Sequence, residues 1–332
     1  MAVKTRARKP KGEINAAAEL LASLKFISVA QRKDGLTYQT SCHIADGFIY
    51  AFDGTLSAGC KIEEDLTACP HTLQLIEALS RCGSELAIAQ VDAGRLSIKS
   101  GPFRAFVPCA DPLEIAHSEP DAALYPVDSR LIAALDRVSP LADEKAHDVW
   151  ASSISIQAGT ATASDGKFLI QCWHGLELPA MALPKASTDA FIKAKKVPVK
   201  FGYSGKSFTL WFEDTSWIKT LLIDEEWPDI ASLLDGNANA WPIPDKFFEA
   251  VKAVAPFNKD GSVYFIKGAI CSANSEEIGT KYDIEGLPVG KIFGSKYLLM
   301  LQSFAERVDF DYADKCIFFG ENIRGLIMGR VL

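Results

Sequence analysis

The sequence predicts an α+β fold made of three tandem copies of one domain, each with two helices and antiparallel sheets. Three observations support it: an order of elements that recurs three times, a nearly constant spacing between equivalent positions, and an amphipathic helix at the start of each copy. With 332 residues, 48% of them hydrophobic and 23% charged, the chain is long and apolar enough for two or three globular domains.

The first helix of each copy places apolar residues at the i, i+3, i+4 spacing of one helix face. The three segments are INAAAELLASLKFI (14–27), DSRLIAALDRVS (128–139) and PDKFFEAVKAVA (244–255). Asp128 is expected to cap the second of them, and Pro244 to start the third. Between helices, short alternating runs such as VYFIKGAICSA predict about eight strands per copy.

A polar turn and a second helix mark the same two places in every copy. The turn residues are Asp53, Asp165 and Asn274, at spacings of 112 and 109 residues. The second helices begin near Pro70, Pro184 and Gly294, at spacings of 114 and 110 residues. Hairpins such as RLSIKSGPFRAFV follow each second helix. The period predicts domains at 13–120, 121–238 and 239–332, after a flexible basic tail at 1–12.

Charge is distributed unevenly along the chain. The formal net charge is −7, but residues 1–12 carry five basic residues and no acidic one, which leaves −12 for the rest. The six predicted helices, counted over 13–28, 70–83, 128–139, 184–198, 244–256 and 294–304, carry +3, so the remaining globular part carries −15. Proteins that hold DNA by affinity alone usually show a clear basic excess, which this chain lacks. The tail fits either a contact with nucleic acid or acidic partners, or a solvated leader.

The sequence shows no catalytic or metal-binding signature. GYSGKS (202–207) has Lys200 where a phosphate-binding loop needs its first glycine, so it is interpreted as a hairpin turn. Cys69 with His71, and Cys172 with His174, lack the second half of a zinc site. The eight cysteines are dispersed, and no apolar run approaches about 20 residues. We therefore expect a cytoplasmic protein with reduced thiols, no metal and no cofactor.

Four sequence strings, in order, resemble the bacterial sliding clamp, the β subunit of the replicative DNA polymerase, over residues 13–332. They are RLSIKSGPFRAF, SDGKFLI before a proline-led helix, LLIDEEWPDIASLL, and the terminal LIMGRVL. In the family, the second to fourth correspond to T-D-G-H-R-L, L-I-D-G-x-F-P-D-Y and a C-terminus ending M-P-M-R-L. The shorter, divergent chain would suit a bacteriophage or mobile-element origin, which would place it in the host cytoplasm.

The resemblance implies a non-catalytic accessory subunit that closes head to tail as a homodimer, a six-domain ring with helices inside and sheets outside. Such a ring holds double-stranded DNA by enclosure, so a mildly positive lining is sufficient. In the dimer, three residues of the first copy are expected to meet an edge of the third copy near Phe257 of the other chain. These three are Arg104, Phe106 and Val107.

The resemblance also implies a hydrophobic pocket between the second and third copies, which binds short motifs of the replicative polymerase, the clamp loader and other clamp-motif proteins. The matching positions are Ser164, Gly166, Lys167, Phe168, Leu169, Pro228, Ser232, Leu233, Leu326, Ile327, Met328, Gly329, Arg330, Val331 and Leu332. Leu169, Pro228, Leu233, Leu326 and Met328 would form its apolar cup. Departures at Lys167, Phe168, Ser232 and the C-terminus predict an altered motif preference. An interdomain core is the alternative interpretation.

The expected DNA contacts are basic residues of the helices and adjoining loops, together with one histidine in a loop that resembles a DNA-touching loop of the family. They are Lys25, Arg32, Lys33, Arg81, Arg130, Arg137, His147, Lys185, Lys193, Lys195, Lys196, Lys246, Lys252 and Lys296. About half are expected to face DNA. Two other hypotheses remain: a clamp-fold scaffold or decoy that binds replication or recombination proteins without supporting a polymerase, and an unrelated enzyme.

Overall fold

The structure, a computed structural model, describes residues 16–229, 231–275, 277–312 and 314–330. The predicted basic tail at 1–12 and the pocket residues Val331 and Leu332 lie outside these ranges. Within them, all six predicted helices are present, and each begins within three residues of the expected position. The helices are α1 (Ala16–Ile27), α2 (Thr37–Thr40), α3 (Thr72–Ser80), α4 (Ser129–Val138), α5 (Val149–Ser152), α6 (Lys185–Lys193), α7 (Phe247–Val254) and α8 (Ser295–Met300).

The strands are short, and every strand pairing among the described residues is antiparallel. The first fourteen are β1 (His43–Ala45), β2 (Phe48–Phe52), β3 (Leu56–Lys61), β4 (Ala87–Asp92), β5 (Arg95–Ser100), β6 (Phe103–Pro108), β7 (Tyr125–Pro126), β8 (Ser153–Gln157), β9 (Thr160–Ser164), β10 (Phe168–Trp173), β11 (Met181–Pro184), β12 (Pro198–Tyr203), β13 (Ser207–Phe212) and β14 (Trp217–Leu221). The others are β15 (Trp241–Pro242), β16 (Ser262–Ile266), β17 (Ala269–Cys271), β18 (Lys281–Asp283), β19 (Lys291–Gly294), β20 (Arg307–Tyr312), β21 (Lys315–Gly320) and β22 (Ile323–Met328).

The order of these elements recurs three times, which confirms the predicted α+β repeat. Each recurrence begins with a helix (α1, α4 or α7), continues with a strand meander and a second helix (α3, α6 or α8), and ends with a second meander. The first recurrence has six described strands instead of the expected eight, while the other two have eight. The domain boundaries near 120 and 239 remain predictions. By internal contacts the chain forms two compact units, Met1–Ile132 with Ala186–Ile223 and Ala133–Lys185 with Asp224–Leu332.

Unit 1 contains a seven-stranded sheet in the order β1-β2-β3-β14-β13-β12-β7 and a three-stranded sheet, β4-β5-β6. In the larger sheet, the first meander of the first recurrence joins the second meander of the second recurrence through β3 and β14. We call this junction the first seam. It pairs Leu56–Gly59 with Trp217–Thr220. The Trp217 indole lies next to Gly59, where an added Cβ would stand 2.6 Å from the ring, so a glycine is needed there.

Unit 2 contains an eight-stranded sheet in the order β11-β8-β9-β10-β22-β21-β20-β15 and a four-stranded sheet, β18-β17-β16-β19. Here β10 of the second recurrence joins β22 of the third, and we call this junction the second seam. It pairs Phe168–Cys172 with Ile323–Ile327. The second seam is the counterpart of the first, because each joins the third strand of a first meander to the third strand of the next recurrence's second meander.

The same aspartate turn leads into both seams. Asp53 Oδ1 accepts hydrogen bonds from the amides of Thr55 and Leu56 at 2.8 and 2.7 Å. Asp165 Oδ1 accepts from the amides of Lys167 and Phe168 at 3.0 and 2.8 Å. Such Asx turns explain why aspartate is used before the glycine. The predicted third counterpart, Asn274, is wrong as a turn residue. It lies in the connection between β17 and β18, which is longer than the turns that contain Asp53 and Asp165.

The Gly325→Ala variant is expected to lower the free energy of unfolding by about 2 to 3 kcal/mol. Gly325 lies in β22 at the second seam, and an added Cβ would overlap the Leu169 carbonyl oxygen and the Phe318 ring. Urea unfolding would measure the change. Gly83→Ala is the matched control, since its Cβ would find its nearest neighbour, Ser100 Oγ, at 3.9 Å. Equal midpoints for the two variants would contradict the close approach of strands at this seam.

Candidate functional site

The second seam brings together two segments that the sequence predicts to share a pocket. Phe168 pairs with Ile327, and Leu169 with Leu326, across the strands β10 and β22. The Met328 amide then donates to the Lys167 carbonyl at 2.7 Å. The turn at Ser164–Lys167 and the end of β22 therefore lie side by side in unit 2, as the resemblance implies.

The floor of this region is an apolar cluster. Leu169 and Leu326 are 3% and 2% exposed and pack with Leu234 and Ile317. Leu234 reaches them from a 3₁₀ helix, Ala231–Leu234, so the segment predicted to line the pocket does cross the sheet here. Leu169 and Leu326 form the base beneath the surface. Their burial agrees with the alternative interpretation, in which these residues belong to a core. Leu234, which the sequence prediction missed, contributes more to the base than its neighbour Leu233.

Phe168 and Ile327 face the other side of the sheet, because successive side chains of a strand point to opposite faces. Both are almost fully buried. The Phe168 ring meets Phe318 edge to face at 5.4 Å between centroids and lies 6.4 Å from Phe304. Their assignment to the pocket lining is therefore corrected: these two side chains belong to the core.

Two large apolar side chains remain accessible beside the floor. Met328 is 39% exposed and Leu233 is 41% exposed. Gly166, Lys167, Pro228 and Ser232 are also exposed. Methionine and leucine at partial exposure over an apolar base can bury the hydrophobic side chains of a bound peptide.

Trp150 is a member of this region that the sequence prediction missed. An added Cβ on Gly166 would lie 2.8 Å from the end of the Trp150 indole, and Gly166 has φ +82°. The glycine therefore both forms the turn and leaves room for the ring. Trp150 lies 16 positions before this turn, so its proximity depends on the path of α5 and β8 and not on any local motif.

The residues after Met328 are held against the four-stranded sheet of the same unit. The Gly329 amide donates to the Asp314 carbonyl at 2.9 Å, and the Arg330 amide donates to the Ile292 carbonyl at 2.8 Å. An added Cβ on Gly329 would overlap the Asp314 carbonyl oxygen. The Arg330 guanidinium donates to the Asp260 carbonyl at 2.8 Å and to Ser262 Oγ. Arg330 is thus anchored within unit 2.

Tyr297 of α8 fixes the Asp165 turn from the third recurrence. Its hydroxyl donates to Asp165 Oδ2 at 2.7 Å, and its ring meets Phe168 edge to face at 5.8 Å. Burial, followed by the Asp165 carboxylate, raises the pKa of Tyr297 to about 12. The tyrosine therefore stays a protonated donor at neutral pH and keeps the turn in place.

A groove of about 430 Å³ adjoins the apolar floor, shares Leu234 with it and is also lined by Pro228. Its base carries polar side chains of the sheet, including Thr162 and Gln171. Trp227 forms one wall and donates from Nε1 to Ser153 Oγ at 2.9 Å. The segment around Pro228 is therefore tied to β8 at one end and to the Leu169 cluster at the other.

The predicted DNA-binding residues all lie on helices or in the loops beside them. Twelve are exposed, while Lys185 and Lys196 are half-buried. Several have protein partners: Arg81 pairs with Glu77, Arg130 with Asp128, Lys252 with Gln302, Arg32 approaches Asp53, and Arg137 donates to the Glu321 carbonyl. Lys196 binds Asp214 and Ser216 and lies 4.1 Å from the centroid of the Phe26 ring, so it has a structural role in unit 1.

The predicted interface residues of the first recurrence lie on β6, an edge strand of the three-stranded sheet. Phe106 is 48% exposed, and the Arg104 guanidinium lies 4.7 Å from the centroid of its ring. Val107 is different: it is 1% exposed and pairs with Leu96, so its side chain faces the core of unit 1. Its side chain is therefore not accessible to a partner.

Two apolar residues of the third recurrence are exposed although their counterparts are buried. Phe257 ends a 3₁₀ helix and is 66% exposed, whereas Ala30 and Leu141 end the equivalent helices and are buried. Ile278 is 76% exposed. The strand pairings of the three first meanders can be aligned residue by residue. In this alignment Ile278 takes the position of Leu56 and Phe168, which the two seams bury.

No helix among the described residues is long and apolar enough to span a membrane. Within the same ranges, no three histidine, cysteine, aspartate or glutamate side chains are grouped so that they could hold a metal ion. GYSGKS forms the turn between β12 and β13, as the sequence predicts.

No family model matches the chain, and no curated protein matches its sequence. Its fold, however, is that of the bacterial β sliding clamps. The chain is similar to the DNA polymerase sliding clamp of Pseudomonas aeruginosa, with a TM-score of 0.80 and 14% identity. It is also similar to pol III beta of Caulobacter crescentus (0.81, 17%) and to the Helicobacter pylori beta clamp bound to a DNA ligase peptide (0.75, 16%). Each similarity covers 95% of this chain and 98% of the other.

Proposed function

We propose that the protein is a DNA sliding clamp, a processivity factor that encircles duplex DNA and tethers a replicative polymerase. The observation that carries the proposal is the pair of equivalent seams, together with the outer edges of β6 and β18, which pair with no strand among the described residues. The clamp fold and the peptide-bound Helicobacter pylori relative support the same function.

The unpaired edges fit each other in a second copy. Each seam joins the third strand of a first meander to the third strand of a second meander. In the third and first recurrences these strands are β18 and β6, the outer strands of their sheets. By the registers of the first two seams, the segment that leads into β18 of one copy would place Gly279 opposite Phe106 and Ile278 opposite Val107 of the next. This contact would cover the exposed Ile278.

Such a contact is heterologous, since it uses two different surfaces of the same chain. Heterologous contacts form either closed rings or open filaments, according to whether the rotation closes. Two copies with three recurrences each supply six repeats, and six is the number expected for the clamp ring. A head-to-tail homodimer is therefore the proposed assembly.

The peptide site is proposed at the second seam, over the Leu169 and Leu326 floor. Met328 and Leu233 would contact the hydrophobic side chains of a polymerase, clamp-loader or other clamp-motif peptide. The Trp150 ring next to Gly166 would form the limit of the site at the Asp165 turn. Because Lys167 and Ser232 differ from what the family pattern implies, the preferred motif should differ too.

The proposed DNA contacts are the exposed basic residues of the helices for which the structure gives no protein partner, such as Lys193 and Lys195 at the end of α6. The partner-bound Lys196 is left out of this set. A clamp of this kind works by enclosure and needs no catalytic group, which is in keeping with an accessory subunit that is not an enzyme. A scaffold or decoy with the same fold is the second candidate, favoured by the divergent C-terminus.

Lys193→Glu combined with Lys195→Glu is expected to reduce the affinity for a short duplex and to flatten its salt dependence. If both residues contact phosphates, the slope of log Kd against log salt should fall by about 2. Fluorescence anisotropy of a labelled duplex measures this slope. Lys259→Glu with Lys267→Glu makes the same charge change on exposed loop residues of unit 2. The same slope in both double variants would argue against a DNA contact at α6.

Light scattering over a range of concentrations tests the proposed assembly. Two copies of the 36.1 kDa chain predict a particle of about 72 kDa. A mass that stays at that of one chain at every concentration would contradict the ring and leave the clamp fold in a scaffold or decoy role. A mass that grows without limit would indicate an open filament.

A further inference from the structure

Each of the two seams inside the chain ends with an equivalent backbone hydrogen bond. At the first seam the Leu221 amide donates to the Thr55 carbonyl at 3.0 Å, and at the second the Met328 amide donates to the Lys167 carbonyl at 2.7 Å. Leu221 and Met328 hold equivalent positions, because each pairs with the first residue of the preceding strand, Ser207 or Lys315.

The equivalent residue in the first recurrence is a proline. The preceding strand β5 begins at Arg95, and Arg95 pairs with Pro108. Proline has no backbone N–H, so it cannot donate the bond that Leu221 and Met328 make. The Pro108 carbonyl accepts from the His71 amide at 3.0 Å, which holds the strand end inside unit 1. Proline at the edge of a sheet is a common means of limiting strand pairing.

The opposing edge is also shorter than its counterparts. β18 contains three residues, whereas β3 and β10 contain six each. The tight aspartate turns that precede β3 and β10 are replaced by the longer connection from β17. Fewer ladder bonds are therefore available to a seam between β6 and β18 than to either seam within the chain.

We infer that Pro108 weakens the seam between two copies by removing its terminal hydrogen bond, so that the ring opens more readily there. The inference rests on the proposed function, since it requires the contact of β6 with β18. Pro108 would then control both the affinity of the two copies for each other and the lifetime of the ring on DNA. A net backbone hydrogen bond corresponds to about a fivefold change in the opening of one seam, and the dissociation of a dimer with two seams should change by about 25-fold.

The test compares Pro108→Leu, which restores the residue type of position 221, with Pro126→Leu. Pro126 is likewise an exposed proline on an edge strand of unit 1, but β7 takes part in neither seam nor in the proposed contact. The dimer dissociation constant would be measured by dilution in an analytical ultracentrifuge, and the half-life of loaded protein on nicked circular DNA would be measured in parallel. Thermal unfolding of each variant verifies that unit 1 stays folded.

The expected result is a dimer dissociation constant about 25-fold lower for Pro108→Leu, because the closed dimer contains two such seams, and a half-life on circles about fivefold longer, because release needs only one seam to open; Pro126→Leu should change neither. A dimeric wild type with an unchanged or weaker Pro108→Leu dimer would overturn the inference and leave the proposed ring standing. If wild type and both variants are monomeric at all concentrations, the inference and the proposed ring are both overturned.

Discussion

Met328→Ala combined with Leu233→Ala is expected to weaken the binding of a clamp-motif peptide by about 100-fold. Each truncation removes a large apolar contact above the Leu169 and Leu326 floor, and each such contact accounts for about 1 to 2 kcal/mol. Both side chains are partly exposed, so the fold should tolerate their loss. Fluorescence anisotropy with a labelled peptide that carries the clamp-binding motif of a bacterial replicative polymerase measures the effect.

Leu221→Ala is the matched control for this double variant. Leu221 occupies the position of Met328 in the preceding recurrence and is 42% exposed, close to the value for Met328. Peptide binding should be unchanged in this control, because the proposed site exists only at the second seam. Full binding by the Met328 and Leu233 double variant would show that the peptide binds elsewhere.

Ile278→Asp is expected to convert the dimer to monomers, with a dissociation constant raised at least about 100-fold. At the proposed contact Ile278 would lie opposite Val107 in an apolar environment, and burial of an unpaired carboxylate there costs several kcal/mol. In the isolated chain the same side chain is exposed, so the substitution should leave the subunit folded. Sedimentation velocity at micromolar protein gives the mass distribution.

Val289→Asp serves as the comparison. Val289 is also a highly exposed apolar residue of unit 2, but it lies in the loop before β19 and away from the β18 edge. It should remain dimeric with the same dissociation constant as the wild type. A fully dimeric Ile278→Asp variant would mean that β18 does not form the contact.

Elements with a local signal could be predicted from the sequence. The Asp53 and Asp165 turns follow from Asp-Gly pairs, and the helices follow from their apolar period. The nearly constant spacing of these features predicted the three tandem copies. Asn274 was misassigned because a similar spacing does not guarantee the same turn. This residue lies in the longer connection between β17 and β18.

The candidate site was predictable only as a set of segments. The resemblance implied that β10 and β22 lie together. Which face of the sheet each side chain occupies depends on the pleat of the strands, and the pleat places Phe168 and Ile327 in the core. Trp150 and Tyr297 enter through tertiary contacts with Gly166 and Asp165, for which no local pattern exists. The equivalence of Pro108 with Leu221 and Met328 likewise required the strand registers.

The most direct test of the proposed clamp is retention on circular against linear DNA. Protein loaded by a bacterial clamp loader onto nicked circular DNA would be separated from free protein by gel filtration, and half of the sample would then be linearised with a restriction enzyme. Enclosure predicts that the protein stays on the circles at high salt and is lost from the linear DNA, since screening weakens charge contacts but not topology. Equal, salt-sensitive release from both forms would contradict the account.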